Sequence, residues 1–315
     1  MKAIEIGENE AGQRLDRFLL KYMNKASKGF IEKMIRKKRI KVNKGKAQPN
    51  YSLQVGDEVQ LYLAEETVEK FTQEKSIDKV SKNINILYED DKILVLNKSS
   101  NTLTHGEGNS LVNRAITYLI HSGSYNPKDE KTFVPASCNR LDRNTSGIVI
   151  IGKTYDGLKE INQKIKDNQV SKYYLTLVKG VVTKAQTLEG YWIKEGNQVK
   201  ITKTSLNDEA KKVITKIEPL HSNGKVSLLQ VELVTGRTHQ IRAHLKSIGH
   251  SIIGDPKYGD TKWNKEYELS NQFLHAYKII ILNYNGKESL TITAPLPKKL
   301  QEILERQSLS LAPSP

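Results

Sequence analysis

The sequence predicts an α+β fold, in which a mixed, mainly antiparallel sheet with interspersed helices follows a small N-terminal α/β unit. Short apolar runs bounded by turn residues dominate the chain beyond residue 84 and are typical of strands. Two segments of that region have the spacing of helices instead, and no glycine-rich phosphate loop of the recognised spacings is present. A chain of 315 residues is long enough for two domains.

The N-terminal unit is predicted over residues 1–63, from two amphipathic helical patterns followed by strand and turn signals. The first helix has an apolar stripe of Leu15, Phe18 and Leu19. The stripe of the second helix consists of Phe30, Ile31, Met34 and Ile35. We expect the two stripes to pack together. Residues 64–83 are rich in charge and poor in apolar periodicity, which predicts a solvated linker between domains that move independently.

Positive charge is concentrated on the second helix and on the turn after it. The chain has 50 Lys and Arg against 35 Asp and Glu, a net charge of +15 that favours a polyanionic partner such as nucleic acid. Between residues 28 and 46, nine basic residues stand against the single acid Glu32. A solvated basic face is the alternative, but the clustering favours an RNA-binding surface. Its predicted residues are Lys28, Lys33, Arg36, Lys37, Lys38, Arg39 and Lys41.

The larger unit is predicted over residues 84–315. It opens with a hairpin, because two apolar runs flank the acidic turn Glu89-Asp90-Asp91. Helices are predicted over residues 110–121, with Ser110 as the cap, and over residues 155–168. Strands are predicted at residues 147–152, 172–180, 212–217, 226–234, 273–282 and 289–293.

Asp142 is the candidate catalytic residue. It lies between Arg140 and Arg143, whose charges favour the ionised carboxylate. A Thr-Ser-Gly turn and a buried strand follow and fix the direction of the side chain. An Asp in this setting can act as a nucleophile or as a base.

Two later segments supply further candidates. Tyr174 lies in a predicted strand, where a tyrosine can hold an unpaired base by stacking, although strand tyrosines are also common structural residues. In a predicted helix after residue 236, His239 and Arg242 lie one turn apart, so that an arginine can reach a carboxylate. His239 and His244 do not share a helix face, and no nearby Cys or Glu completes a metal set. We therefore expect no metal, and histidines that contact phosphate or the core.

These segments resemble the pseudouridine synthases of the RluA/RluC/RluD type, which isomerise uridines in large-subunit ribosomal RNA. The resemblance rests on three motifs and a fourth near the end of the chain: Arg140-Leu141-Asp142, Lys172-x-Tyr174, Gly236-Arg237-x-His239-Gln240-Ile241-Arg242 and Gln272-Phe273-Leu274-His275-Ala276. Residues 38–46 and the Gly56-Asp57 turn also resemble the small RNA-binding module named after ribosomal small-subunit protein four.

The resemblance implies a catalytic domain of the pseudouridine synthase type that needs no cofactor. The N1 glycosidic bond of uridine breaks, the uracil turns and C5 is joined to C1′. Asp142 is implied to be catalytic and to pair with Arg242, with Arg237 as the fallback. Tyr174 is implied to hold the extruded base while Arg140 enters the space that it leaves. Whether Asp142 attacks C1′ or abstracts a sugar proton stays open.

Further RNA contacts are expected around this site. The predicted residues are Asn139, Arg140, Arg143, Arg237 and His239. Two positions depart from the family pattern, because Asn139 stands where the family often has His and Ser99 where it has Pro. Neither change removes a catalytic group. The Asn139 side chain can bond the loop or a phosphate, so the change bears on target choice or local geometry.

Two other function classes can be weighed from the sequence. A non-catalytic RNA-binding assembly factor is the alternative, and it predicts a dispensable Asp142. A metal-dependent nuclease would need clustered carboxylates, for which Asp142 and Asp255 are too few. The single Cys138 excludes an internal disulfide, and neither a signal peptide nor a membrane span is apparent. The expected setting is a cytoplasmic monomer whose partner is ribosomal large-subunit RNA.

Overall fold

The computed structural model describes residues 1–72, 80–81, 83–196 and 198–310. The elements of its N-terminal part are β1 (Lys2–Glu5), α1 (Leu15–Tyr22), α2 (Lys28–Arg36), β2 (Ile40–Val42), β3 (Glu58–Leu61) and α3 (Glu65–Phe71). The three strands form an antiparallel sheet in the order β1-β3-β2. No helix of the residues described is long and apolar enough to cross a membrane.

The two predicted helical stripes do form the core of this unit. Leu15, Phe18, Leu19 and Ile31 are fully buried in one hydrophobic cluster, and the cluster extends onto the small sheet. The Ser27 hydroxyl accepts a hydrogen bond from the Phe30 amide and caps α2. The basic residues of α2 therefore lie on the face that the apolar stripe leaves to solvent.

The start of the predicted linker is not a solvated coil, because residues Glu65–Phe71 form α3. Val68 is 3% exposed within the N-terminal core, and the Phe71 ring packs 4.5 Å from that of Phe30. Two apolar side chains among many charges are enough to anchor this helix of 7 residues, and the average composition of the segment does not reveal them. Residues 73–79 and 82 of the predicted linker lie outside the described residues.

The larger unit is built on a sheet of 11 strands, which confirms the predicted mixed, mainly antiparallel architecture. Its first elements are β4 (Ile86–Glu89), β5 (Ile93–Lys98), α4 (Leu111–His121), β6 (Ala136–Ser137), β7 (Ser146–Gly152), α5 (Tyr155–Lys166) and β8 (Val170–Lys179). The rest are β9 (Gln186–Glu195), β10 (Gln198–Thr202), β11 (Lys211–Ser222), β12 (Val226–Leu233), α6 (Gln240–Ser247), α7 (Thr261–Glu266), β13 (Leu274–Tyr284), β14 (Lys287–Thr293) and α8 (Lys298–Arg306).

The strand order brings distant segments of the chain together at the centre of this sheet. It runs β10-β9-β11-β12-β8-β13-β7-β5-β4, with β14 on β13 and β6 on β7. The pair of β13 with β7 is parallel, whereas the other pairs of the described strands are antiparallel. β7 is buried along its whole length. The loop that precedes β7 is therefore anchored at its end to a buried, central strand.

Both faces of the sheet are covered by apolar side chains. Along β5, Leu94 and Leu96 join the large cluster that contains α4, whereas Ile93 and Val95 join the cluster beneath α5. The helices predicted over residues 110–121 and 155–168 are confirmed, and the predicted cap Ser110 accepts from the Asn113 amide. The strands β9 and β10 and the helices α7 and α8 were not predicted. β9 and β10 lie at an edge of the sheet, where much of their surface is polar and exposed.

Gly147 fixes the contact between β7 and β13. Its φ is +114°, and a Cβ atom there would lie 2.2 Å from the Ala276 carbonyl oxygen. We expect Gly147→Ala to lower the free energy of unfolding by about 3 kcal/mol or more, because backbone atoms cannot move aside cheaply. Gly224→Ala is the matched control, since Gly224 also has a positive φ but open space around it; we expect a cost of about 1 kcal/mol. Urea unfolding measures both, and equal losses would contradict this account.

Candidate active site

Asp142 projects from the loop between β6 and β7. The Thr145 amide donates to the Asp142 carbonyl over 3.0 Å and closes a turn over residues 142–145. The turn thus precedes the predicted Thr-Ser-Gly turn, because Ser146 and Gly147 already belong to β7. Leu141 is 7% exposed and anchors the loop in the core, whereas the neighbouring Arg140 is exposed. The Asp142 side chain is 21% exposed. The carboxylate is thus held by buried neighbours yet open to a ligand.

Arg242 joins Asp142 to a second carboxylate, that of Asp255. Its Nη1 donates to Asp142 Oδ2 over 2.9 Å, which is the contact expected from the sequence. Its Nε and Nη2 donate to the two oxygens of Asp255 over 2.7 and 2.8 Å. Because a bidentate pair fixes the plane of a guanidinium, Asp255 determines where Arg242 meets Asp142.

The electrostatics of the buried pair favour the charged forms of Arg242 and Asp255. Burial raises the pKa of Asp255, but the hydrogen bonds and charge of Arg242 outweigh burial and hold that pKa below its usual value. Burial likewise lowers the pKa of Arg242, but Asp255 and Asp142 raise it above its usual value. Asp255 is 0% exposed and also accepts from the Lys257 and Tyr258 amides, so its oxygens are well satisfied. The triad is therefore a preorganised charge array.

Tyr174 lies on β8 and forms part of the wall of the pocket above Asp142. The side chain is 4% exposed. Burial raises the pKa of Tyr174, and the charge of Asp142 raises it further. The phenol therefore stays protonated at neutral pH, so that Tyr174 offers the pocket an aromatic ring and a hydroxyl that can donate.

His239 occupies the position before α6 and faces the Asp142 carboxylate. Its φ of 56° is left-handed, and its Nε2 lies 3.7 Å from Asp142 Oδ2. Its Nδ1 lies 3.1 Å from the Tyr258 hydroxyl. That hydroxyl oxygen accepts a hydrogen bond from the Val199 amide, so the hydroxyl proton is free to be donated to Nδ1. Burial lowers the pKa of His239. We assign a neutral imidazole with its proton on Nε2, directed towards Asp142.

These side chains surround an open pocket, whose empty space together with the solvent-filled mouth is about 360 Å³. It is lined by Arg140, Leu141, Asp142, Thr145, Tyr174, Leu233, Arg237, His239, Gln240, Ile241, Arg242 and Leu274. Seven of these twelve side chains are polar or charged and five are apolar or aromatic, so the pocket offers converging hydrogen-bonding groups beside an apolar wall. The fold thus brings six of the predicted site residues together from three separate segments of the chain.

The Asn139 side chain bonds the backbone of β7. Its Nδ2 donates to the Ile148 carbonyl over 3.1 Å, and its Oδ1 accepts from the Ile150 amide over 2.8 Å. Of the two roles that the sequence offered for Asn139, a local bond or a phosphate contact, the structure contains the local bond. Arg143 is exposed outside the pocket lining, and its Nε donates to Asn101 Oδ1 over 2.9 Å.

The predicted RNA-binding residues of the N-terminal unit form one exposed basic surface. Its exposed members are Lys28, Lys33, Arg36, Lys37, Lys38 and Arg39. The Lys28 ammonium is 3.6 Å from the Glu32 carboxylate, and the half-buried Lys41 has its ammonium 5.0 Å from the centre of the Tyr62 ring.

The two histidines considered in the sequence, His239 and His244, lie in different environments. His244 is buried against the Thr215 hydroxyl, whereas His239 faces the pocket.

Sequence reasoning missed the residues that hold the Asp142 loop from behind. The Lys98 ammonium, which is 0% exposed, donates to the carbonyls of Thr102 and Arg143 over 2.8 and 3.0 Å. Burial lowers the pKa of Lys98 to about 7, against the opposing charge of Asp142. Gln272 donates to the Thr145 hydroxyl over 2.9 Å. Gln272 lay in a motif already noted and Asp255 was noted only as a carboxylate, and which side chains they contact depends on the fold.

Comparison with known proteins agrees with this geometry. The family model for RNA pseudouridylate synthase matches residues 92–247, and the S4 domain matches residues 13–59. Ribosomal large subunit pseudouridine synthase C of Haemophilus influenzae is 32% identical, over 97% of this chain and 95% of its own length. The Escherichia coli protein of the same name is 31% identical, over 97% and 96%.

Solved structures show the same fold. Human RNA Pseudouridylate Synthase Domain Containing 4 has a TM-score of 0.60 at 22% identity, covering 72% of this chain and 94% of its own. Human RNA Pseudouridylate Synthase Domain Containing 1 has a TM-score of 0.55 at 20% identity, covering 78% and 100%. Fold and site define an enzyme that acts on RNA. The chain belongs to the RNA pseudouridylate synthase family and carries an N-terminal S4 domain.

Proposed function

We propose that this protein isomerises specific uridines of ribosomal large-subunit RNA to pseudouridine, with Asp142 as its catalytic residue. The observation that carries the proposal is the Asp142 carboxylate at the floor of an open pocket, held over 2.9 Å by an arginine that buried Asp255 fixes in place. The names of the relatives, which span nearly the whole chain, supply the substrate class.

The pocket groups can divide the reaction between them. The uridine leaves its stack and enters beside Tyr174, and Arg140 at the exposed rim takes the space that the base has left. Asp142 then acts on the ribose, either by attack on C1′ or by removal of a sugar proton, and the N1 glycosidic bond breaks. The freed uracil anion turns, and C5 bonds to C1′ as the bond from Asp142 to C1′ breaks or, on the other route, as the sugar regains its proton. The proton of C5 is then lost and N1 gains a proton. Atoms and electrons balance without a co-substrate, so we propose a reaction that needs no cofactor and no metal.

Charge in the pocket suits these steps. Arg242, Arg237 and Arg140 bring positive charge to a pocket that receives an RNA strand, whereas Asp142 is the carboxylate at its floor. Positive groups stabilise the anionic uracil that forms when the glycosidic bond breaks. The protonated Tyr174 can contribute a hydrogen bond to that anion. His239 and Arg237 are proposed to contact RNA at the rim.

The basic surface of the N-terminal unit is proposed to bind the RNA away from the pocket. We divide the protein into an RNA-binding unit that begins at residue 1 and continues to Phe71, a connecting segment and a catalytic domain from residue 84. We further propose that the protein acts in the cytoplasm as a monomer. The alternative is a non-catalytic assembly factor, for which a buried Asp255–Arg242–Asp142 array has no evident use.

The substrate class is tested with purified components. The wild-type protein is incubated with deproteinised large-subunit RNA, small-subunit RNA and transfer RNA at equal nucleotide concentrations, and pseudouridine is mapped at single-site resolution. We expect new pseudouridines at a few positions of large-subunit RNA. Modification confined to transfer RNA would overturn the substrate class but not the chemistry. The absence of product in every RNA, with binding retained, would favour the assembly factor.

The role of the basic surface is tested by its salt dependence. We expect replacement of Lys33, Arg36, Lys37 and Arg39 by Gln to weaken RNA binding and to flatten the plot of log Kd against log salt by about 0.7–0.9 per lost phosphate contact. The control replaces the exposed Lys128, Lys265, Lys287 and Lys298 by Gln, which removes the same charge elsewhere. Filter binding at several salt concentrations gives the slopes. Equal slopes for the two variants would show that this surface makes no special contact.

A further inference from the structure

The loop of residues 99–109, between β5 and α4, is tied to the Asp142 loop. The Thr104 side chain is 3% exposed, and its hydroxyl bonds both the Leu141 carbonyl and the Leu141 amide, over 2.9 and 3.2 Å. The Ser100 hydroxyl donates to the Asn144 carbonyl over 2.8 Å. The 99–109 loop and the catalytic loop are thus joined at several points, the bond from Arg143 Nε to Asn101 Oδ1 among them, and a ligand that contacts one of them meets the other.

The outer part of the 99–109 loop is also held in shape. The Leu111 amide donates to the Leu103 carbonyl over 2.9 Å. The Asn113 side chain donates to the carbonyls of Gly106 and Gly108 over 3.1 and 2.8 Å. A loop with this many fixed backbone groups presents its side chains in a defined arrangement.

This fixed loop exposes an apolar and an aromatic side chain next to Arg140. Leu103 is 47% exposed. The ring of His105 is exposed on the same loop, and its Nε2 lies 3.0 Å from the Ser137 hydroxyl. Burial and the nearby charge of Arg140 lower the pKa of His105. His105 is therefore neutral at neutral pH. A neutral imidazole has no charge to attract a phosphate, but its ring can stack on a nucleotide base.

We propose that Leu103 and His105 form a binding site for the base of a nucleotide adjacent to the extruded uridine. This inference rests on the proposed function, because Arg140 marks where the RNA strand opens. With Arg140 in the space that the uridine has left, an unpaired neighbouring base can turn out of the stack as well, and the exposed Leu103 and His105 offer that base an apolar surface and a ring. The site would thereby select unpaired RNA and contribute to the choice of target.

The test uses a short RNA stem-loop that carries a uridine modified by the wild-type protein, with 2-aminopurine placed in turn at each neighbouring position. We expect binding to change the 2-aminopurine fluorescence at one neighbouring position. We expect the Leu103→Ser/His105→Ala variant to lose that change and to raise KM about tenfold, with kcat within about twofold. Leu282→Ser is the matched control, because Leu282 is 41% exposed and lies eight residues along β13 from Leu274 of the pocket, roughly 26 Å away.

Two further variants separate a base contact from a phosphate contact. We expect His105→Phe to keep most of the fluorescence change, since a phenyl ring can stack, and His105→Lys to lose it. Tighter binding and a steeper salt dependence with His105→Lys would instead assign the loop to the backbone and overturn the proposal. An unchanged KM and fluorescence in the double variant would also overturn it. If the wild-type protein modifies no RNA at all, the proposed function fails, and this inference fails with it.

Discussion

Replacement of Asp142 by Asn is expected to lower the rate of pseudouridine formation on the order of 10³-fold or more. The amide keeps the size of the carboxylate and an oxygen that can accept from Arg242 Nη1, which now lies 2.9 Å from Asp142 Oδ2. It cannot act as a nucleophile or as a base. Because the Asp142 side chain is 21% exposed at the surface of a pocket, the change should leave the fold intact. RNA with tritium at C5 of uridine reports the rate, since the C5 proton is released on isomerisation.

The controls for this variant separate chemistry from binding. We expect the Kd for RNA to stay within about threefold of the wild-type value, because Asp142 adds no attraction for a polyanion. Asp91→Asn, in the exposed turn between β4 and β5, removes an equal charge far from any predicted role and should leave the rate unchanged. If a pure Asp142→Asn protein kept more than about a tenth of the wild-type rate, the assignment of Asp142 as the catalytic residue would be wrong.

Loss of Arg242 is expected to damage both stability and activity. Arg242→Met leaves Asp255 at 0% exposure without the partner that now holds it over 2.7 and 2.8 Å. An uncompensated buried charge of this kind costs about 3–5 kcal/mol of unfolding free energy. Asp142 also loses its guanidinium, so the rate should fall steeply. Urea unfolding and tritium release measure the two effects.

A second substitution distinguishes these two effects of Arg242. In Arg242→Met/Asp255→Asn the buried negative charge is removed, and the Asn oxygen can still accept from the Lys257 and Tyr258 amides. We expect this double variant to recover most of the lost stability while it remains inactive, because its Asp142 still lacks an arginine. Recovery of activity together with stability would show that Arg242 acts only as a structural residue.

The active-site loop was predictable because its signals are local. Arginines on both sides of Asp142, a turn and then a continuous apolar run specify a carboxylate at the entrance to a buried strand, which the structure contains. Arg242 could be paired with Asp142 only through the family motif, since nothing local joins residues 100 positions apart. The predicted helices and most strands were similarly recoverable from periodicity.

Other features depend on tertiary contacts that no local pattern encodes. Asp255 was counted as a lone carboxylate, but the fold places it against the far side of Arg242. Asn139 was expected to contact RNA, yet its amide bonds the backbone of β7, which is visible only once the strand and the loop are adjacent. The α3 helix was hidden by its charged composition, because Val68 and Phe71 alone tie it to the N-terminal core.

The central claim is that Asp142 in this pocket forms pseudouridine in ribosomal large-subunit RNA. The most direct test is site-resolved pseudouridine mapping of total RNA from cells that lack the protein, complemented with the wild type or with Asp142→Asn at equal expression. We predict that specific large-subunit positions lose pseudouridine, and that the wild type restores them whereas Asp142→Asn does not. No lost position, or restoration by Asp142→Asn, would contradict the claim.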